Sequence, residues 1–535
     1  MGRAVPLWAG RGASRLGAAL VGLALAANAG AQPARSPLWG TLDRGRYGVG
    51  FRELLVRDRS RPALPAAPGA TSTGAPGRQM QVMLWYPTAG TSGTRLRFAD
   101  YVYTLQHELD FSPLEDTRRA AAIDKFVELP AALGGDTIAL RAAMPRLLAF
   151  PVTARRRAEP ASGHFPLVLF PEWRAPASNS VLAEYLASHG YVVASTTLKG
   201  TFDADPEIST RGLETQAADL RFVIAAVDTI RTIDARRLAA IGVGIAASGA
   251  LALQMRTPAV AALVSLEGGI TTEGEIGLVG RSPYFDVASV RSPILAITAP
   301  HPSVDPARLD LYRYATRHLV HFPRMGEFWF LNYGMLERYV PRIIGTPPGD
   351  TEAGFEWGAR YVRRFLDAYL RGDTSAMAWL GERPEQVGAP TGLFTVAAKR
   401  GLPPPPTVAQ LKAMLTHGGV AELTALAERR IASDSQPIPA DYLAELAAWL
   451  GGGRDPDGDT RHDLATLRVR LYPRSARAHF ALGMSASRRG AAAQARTHLS
   501  ESLRLLEADS DPQLDAAARA RLRRQAEASL TQLGS

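Results

Sequence analysis

The chain contains no cysteine. That excludes disulfides, thiolate metal centres, a cysteine nucleophile and a lipid-modified N-terminal cysteine. Lysine is scarce as well, four among 61 basic residues, so the net charge of +10 rests on arginines scattered singly or in short groups such as Arg155-Arg156-Arg157. No polybasic stripe or aromatic platform accompanies them, and no nucleic-acid partner is expected. Long apolar runs are also missing. The stretch Leu16 to Ala27 is too short to span a bilayer comfortably and no later stretch approaches that length, so no transmembrane anchor is expected.

What the N-terminus does have is Arg3, Arg11 and Arg15, then that apolar run, then Ala29-Gly30-Ala31 before Gln32. A positive segment, a short hydrophobic segment and a small-residue site read as a secretory signal, residues 1–31, cleaved after Ala31. The expected destination is the periplasm or the medium. The whole chain, 535 residues with 46% apolar and 21% charged content, has the composition of a globular protein and the length for a large domain plus a smaller one.

Periodicity organises the rest. Arg78 to Tyr86 is rich in β-formers and closed by Pro87; Leu167 to Phe170, Tyr191 to Ser195, Leu238 to Val243, Ala261 to Leu266, Ile294 to Thr298 and His318 to Phe322 are short apolar strands. Helical patterns fall between or after them at Val181 to Ser188, Glu214 to Ile230, Ser248 to Met255 and Phe355 to Leu370. Repeated βα units with apolar strands predict an α/β fold, a mostly parallel doubly wound sheet covered on both faces, over residues 32–400.

The run Gly401-Leu402-Pro403-Pro404-Pro405-Pro406 predicts a stiff linker over 401–406, and residues 407–535 read as helical. Leu482, Gly483, Gly490, Ala495 and Leu499 fall at the spacing of one tetratricopeptide-type helix pair, and residues 438–473 look like a degraded copy. Such a tail either caps the main domain or offers a groove to a protein partner. Too few repeats are present for a long concave surface.

The segment from Asp234, DARRLAAIGVGIAASGALALQM, places a strand, a tight small-residue turn and a helix in the order of a G-x-S-x-G nucleophile elbow. Aligning Gly242 with the first motif glycine puts Gly244 at the nucleophile and Ala246 at the last glycine. Sliding the turn four residues, to Ala246-Ala247-Ser248-Gly249-Ala250, would make Ser248 the nucleophile inside what reads as helix.

With these segments the chain resembles the secreted, platelet-activating-factor-acetylhydrolase-like and dienelactone-hydrolase-like branch of the α/β-hydrolases, from about Gly45 to Leu380. The resemblance is carried by Tyr47-Gly48-Val49-Gly50-Phe51, Val82-Met83-Leu84-Trp85-Tyr86-Pro87, Phe165-Pro166-Leu167-Val168-Leu169-Phe170 and Tyr185-Leu186-Ala187-Ser188-His189-Gly190-Tyr191-Val192-Val193. Ser265-Leu266-Glu267-Gly268 and Phe365-Leu366-Asp367-Ala368-Tyr369-Leu370 continue it. It implies an acid at Glu267. It also implies a histidine where this chain has Glu327, in Glu327-Phe328-Trp329-Phe330, and a small-residue oxyanion loop where this chain has Pro171-Glu172-Trp173. Proline has no amide hydrogen to give a developing anion.

Three readings follow from these substitutions. The first is a non-catalytic hydrolase relative, a binding or scaffold protein whose pocket, lined by Glu172, Trp173, Gly244, Glu267 and Glu327, takes a small-molecule or lipid-like ligand. The second is a serine hydrolase of esters or related acyl compounds that uses Ser248 with Glu267 and His321, although His321 sits on a strand before the turn. The third is a cation or amine pocket built from Glu172, Glu267 and Glu327, which come from three loops at the carboxyl ends of strands. His318, His189 and His164 are weaker bases by position, and Ser178 and Ser180 read as helix N-caps. No metal motif, phosphate loop or dinucleotide fingerprint occurs in its required context, so no cofactor or metal is expected.

Overall fold

The computed structural model describes residues 36–65, 76–108, 113–173, 176–433, 437–451, 453–507, 514 and 516–534. The predicted signal segment lies outside them. Two compact units form: one holds the described chain up to Phe285 with Ser292–Leu309 and His318–Ala398, and the other holds Asp286–Arg291, Asp310–Arg317 and the chain from Lys399 on.

The first unit is built on a sheet of β1 (Gly48–Asp58), β2 (Arg78–Thr88), β3 (Thr94–Arg97), β4 (Pro151–Arg156), β5 (Phe165–Leu169), β6 (Val192–Thr196), β7 (Ile233–Val243), β8 (Val260–Leu266), β9 (Ile294–Thr298), β10 (Arg317–His321) and β11 (Thr395–Lys399). Among the described residues the order is β11-β10-β9-β8-β7-β5-β6-β2-β1-β4-β3. β2 runs antiparallel to both β1 and β6, while β6, β5, β7, β8 and β9 pair in parallel. Every residue of β5, β6 and β9 is buried, which is why those segments read as unbroken apolar runs rather than alternating ones.

Helices Ser180–Ser188, Thr210–Asp228, Ile245–Arg256 and Thr351–Arg371 follow the strands as the sequence predicts, and side-chain caps set the starts of the second and fourth. Ser209 accepts from the Gly212 amide and starts its helix four residues before the expected Glu214. Asp350 accepts from the Ala353 amide, and Gly372, at φ +66, ends the helix that began there.

An insertion between β2 and β5 was not legible. It comprises β3, β4 and helices Phe98–Tyr103, Asp116–Ala132 and Thr137–Ala149, and Pro130 and Pro145 lie inside the last two. Prolines read as breakers in a sequence, and here both helices continue through them, Pro130 buried and Pro145 exposed. Glu184 binds the insertion to the core: its buried carboxylate accepts from the Trp39 indole (3.0 Å), the Tyr101 hydroxyl (2.7 Å) and the Thr153 and Ala154 amides (both 3.1 Å).

Beyond residue 406 the described chain is helical: Val408–Ala432, Ala440–Trp449, Asp459–Leu471, Ala476–Arg488, Ala492–Glu507 and Ala516–Gly534. The first is broken at Gly419, where the backbone leaves helical geometry. Helices Ala476–Arg488 and Ala492–Glu507 meet at Gly483, where a Cβ would fall 2.8 Å from the Leu499 side chain. Segment 401–406 has no regular structure, and its start is held by the Leu402 amide on the Arg313 carbonyl (2.8 Å).

Candidate functional site

β7 ends at Val243 and its helix begins at Ile245, so the chain reverses through the single residue Gly244. Gly244 has φ +50 and ψ −128, a backbone region that side chains strongly disfavour. Its amide donates to the carbonyls of Leu266 (3.2 Å) and Glu267 (2.9 Å), which fixes the turn against the end of β8. Gly242 lets the turn close, because a Cβ there would lie 2.2 Å from the Ala247 amide nitrogen.

Carboxyl groups surround this turn. Glu327 opens the 3-10 turn Glu327–Phe330, and its Oε1 lies 2.6 Å from where a Gly244 Cβ would stand. Glu267 follows β8 directly, holds φ +47, and its buried Oε2 accepts from the Ala299 amide (2.5 Å). Burial pushes the Glu267 pKa up to about 8, with Glu327 and Glu275 adding repulsion and the Ala299 amide opposing it. Glu327 is pushed up to about 7, again by burial first and then by Glu275 and Glu172. Glu275, in helix Glu273–Gly280, is also raised by burial, against hydrogen bonds from Thr272 and the Gly269 amide.

Glu172 is buried in the loop after β5, where its carboxylate accepts from the Ser178 hydroxyl. Its amide is already committed to the Thr196 carbonyl (3.1 Å), and Pro171 has none. Neither residue therefore supplies a free donor for an oxyanion. Trp173 stands half-buried beside them.

Ser178 is thus a partner of Glu172 and not a helix cap. Asn179 is the N-cap residue and Ser180 the first residue of its helix. The start of that helix is instead held by Asn332, which no local pattern marks: its side chain accepts from the Val181 amide (3.0 Å) and donates to the Ala177 carbonyl (2.7 Å) and the Ser180 hydroxyl (2.9 Å). This ties the segment carrying Glu327 to the loop carrying Glu172.

Ser248 lies within helix Ile245–Arg256, fully buried, and its hydroxyl has no hydrogen-bond partner. The turn displaced onto Ala246 to Ala250 does not form, since those residues are helical. His321 ends β10, pairs with the Thr298 hydroxyl (3.1 Å) and has its pKa lowered by burial. It borders a cleft of about 420 Å3 with Ala299, His301 and Val304. His318 pairs with the Tyr369 hydroxyl (2.8 Å), and His189 with the Tyr185 carbonyl (2.9 Å) and Asp43 (3.3 Å); His164 contributes its backbone carbonyl to Arg237. None of these three hydrogen-bonds to the Gly244 turn.

The sequence reading therefore named three of the four carboxyl groups and missed Glu275. An acid in the first turn of the helix after Glu267-Gly268-Gly269 was the available signal. Among the described residues no group of three or more His, Cys, Asp or Glu has the geometry to hold a metal ion.

The order β1-β2-β6-β5-β7-β8-β9-β10, with β2 reversed and a one-residue turn after β7, defines an α/β-hydrolase fold, followed here by an all-helical C-terminal region. Beyond the fold, no family model matches the chain, and no curated protein does. Among solved structures, a ferulic acid esterase from Streptomyces cinnamoneus is similar at a TM-score of 0.43 and 20% identity, over 61% of this chain and 91% of that one. A likeness at that level carries neither substrate nor mechanism across.

Proposed function

We propose that this chain is an α/β-hydrolase-fold binding protein without serine-triad catalysis, a relative of the secreted platelet-activating-factor-acetylhydrolase-like and dienelactone-hydrolase-like branch. One observation carries the reading: the apex of the elbow-like turn is Gly244, and the space before it is taken by the Glu327 carboxyl, 2.6 Å from the missing Cβ. In that kinship Gly244 stands for the nucleophile, Glu267 for the acid and Glu327 for the histidine. Loss of the nucleophile alone removes most triad-dependent rate, on the order of 10⁶-fold in a well-studied protease.

The reading predicts no labelling of the mature protein by a fluorophosphonate probe and negligible turnover of short-chain p-nitrophenyl esters. Stoichiometric labelling abolished by Ser248→Ala would instead establish the serine hydrolase that uses Ser248, Glu267 and His321. The burial of Ser248 without a partner speaks against that rival.

The raised pKa values favour a second, narrower reading, in which Glu172, Glu267, Glu275 and Glu327 together accept an organic cation such as an amine. Bound positive charge would return the raised carboxyl groups toward ionisation. Glu327→Gln should then weaken binding of a small alkylammonium probe about tenfold while leaving the fold intact. Unchanged affinity would remove the cation from the proposal. The tetratricopeptide-like tail, as a surface for a protein partner, and export by the N-terminal segment complete the proposed role.

A further inference from the structure

A second cleft, of about 560 Å3, opens at the other end of the sheet, where β6 and β7 begin. Its floor is apolar: Leu84 and Tyr86 of β2, Val192 at the start of β6, and Ile230 and Ile233 beside β7. Arg52 and Arg157 stand at its rim, both exposed.

Strand register decides which charges face this cleft. Arg52 of β1 is paired with Leu84 and so shares the face of Leu84 and Tyr86. Two other charged residues border the cleft, but their side chains are committed elsewhere. The Glu53 carboxylate accepts from Gln81 and pairs with His107, both at distances below 3 Å, and Arg156 is paired with Asp100 at 3.2 Å. Tyr86 is fixed against the wall by its hydroxyl on the Ala158 carbonyl (2.8 Å), with its ring lying over Gly50, where a Cβ would meet it at 2.3 Å. Among the described residues neither Arg52 nor Arg157 has a carboxylate partner, and the exposed Glu159 pairs with neither.

Arg157 also has φ +58. Among the described residues only two other non-glycine residues have positive φ, and one of them is Glu267. Backbone strain of this kind persists where the surroundings impose it, and it gathers at binding sites.

We infer that this cleft is a second binding site, for a small amphipathic anion: a monocarboxylate with an alkyl or aryl body. The body covers the apolar floor, and the carboxylate takes charge-assisted hydrogen bonds from Arg52 and Arg157. The volume lies within the range of small-molecule sites, roughly 300–1,000 Å3. No covalent step is involved, and the site is independent of the Gly244 turn.

Isothermal titration of the full chain with octanoate tests this, with octanol, octylammonium and acetate as controls. Octanoate should bind saturably with one site per chain and more weakly as salt rises, while octylammonium and acetate show no saturable binding and octanol binds at least about tenfold more weakly. Arg52→Ala should weaken octanoate about tenfold. Arg157→Gly should do the same while raising the melting temperature, because glycine accepts φ +58 without strain. That rise separates a lost ligand contact from a lost fold. Arg141→Ala, at an exposed surface pair, should leave octanoate binding unchanged. Equal binding of octanol or octylammonium, undiminished octanoate affinity in Arg157→Gly, or no saturable octanoate binding would each overturn the inference.

Discussion

Gly244 takes a conformation that a serine could hold only under strain, and the serine would have to move the Glu327 carboxyl aside. Gly244→Ser is expected to lower stability by about 1–3 kcal/mol, read from the denaturant midpoint at unchanged m-value. A stabilised variant would show that the turn is not held as described. Glu267 and Glu327 make a separate prediction about pH. Their folded pKa values, about 8 and about 7, lie above the ordinary value of 4.5, so the folded state binds more protons than the unfolded one between those limits. Their contribution is fully present below about pH 4.5 and is lost as pH rises through 7 to 8. Glu267→Gln should flatten the fall in stability across that window, and an equally steep fall in the variant would contradict the assignment.

At the scale of elements, polar groups far apart in sequence set the positions of whole segments. Asn332 satisfies the start of helix Ser180–Ser188 from 151 residues away, and Asn332→Ala leaves the Val181 amide and the Ala177 carbonyl without that partner. A loss of about 1–3 kcal/mol is expected, measurable by urea unfolding, and the Glu327 turn should lose amide protection from exchange along with it. Protection unchanged in that turn would show that Asn332 does not hold it. Asp219 plays a comparable part for helix Thr210–Asp228: it is buried and takes Arg78 through both oxygens, at 2.7 and 2.8 Å, and Arg61 at 2.7 Å. Asp219→Ala strands Arg78, while Arg61 keeps Asp58 at 2.6 Å, and is expected to cost about 3–5 kcal/mol. Removing a surface pair such as Arg141–Asp124, by contrast, should change little.

Across the whole molecule, the second unit is not simply the tail. It includes Asp286–Arg291 and Asp310–Arg317, and within it the Tyr442 hydroxyl meets Asp286 at 2.5 Å while Lys399 meets Asp310 at 2.7 Å. A fragment of residues 399–535 keeps the helices and the buried leucines that pack them, such as Leu411, Leu423, Leu443 and Leu464, but loses those partners. It should stay helical by circular dichroism yet melt at a lower temperature than the same unit in the intact chain. An equal melting point would show that the two earlier stretches add nothing. For export, N-terminal sequencing of protein recovered outside the cytoplasm should begin at Gln32.

The sequence determined what depends on neighbours along the chain. Apolar strand runs, helix patterns and the composition break at residues 401–406 are local signals, and they were enough for a parallel α/β sheet followed by helices. The small residues around Gly244 were legible for the same reason, since a tight strand-to-helix turn needs them within a few positions. Only the tertiary structure decided what depends on distant parts. Two of the three helices within 98–149 carry prolines that conceal them, and Asn332 reaches its partners across the fold. Glu275 joins the other carboxyl groups only because the chain after β8 turns back toward Gly244, and Arg52 and Arg157 share a cleft because β1 and β4 lie side by side. The same holds for charge. A glutamate in a sequence is an ordinary acid near 4.5, and burial among other carboxyl groups is what lifts Glu267 and Glu327 toward neutrality.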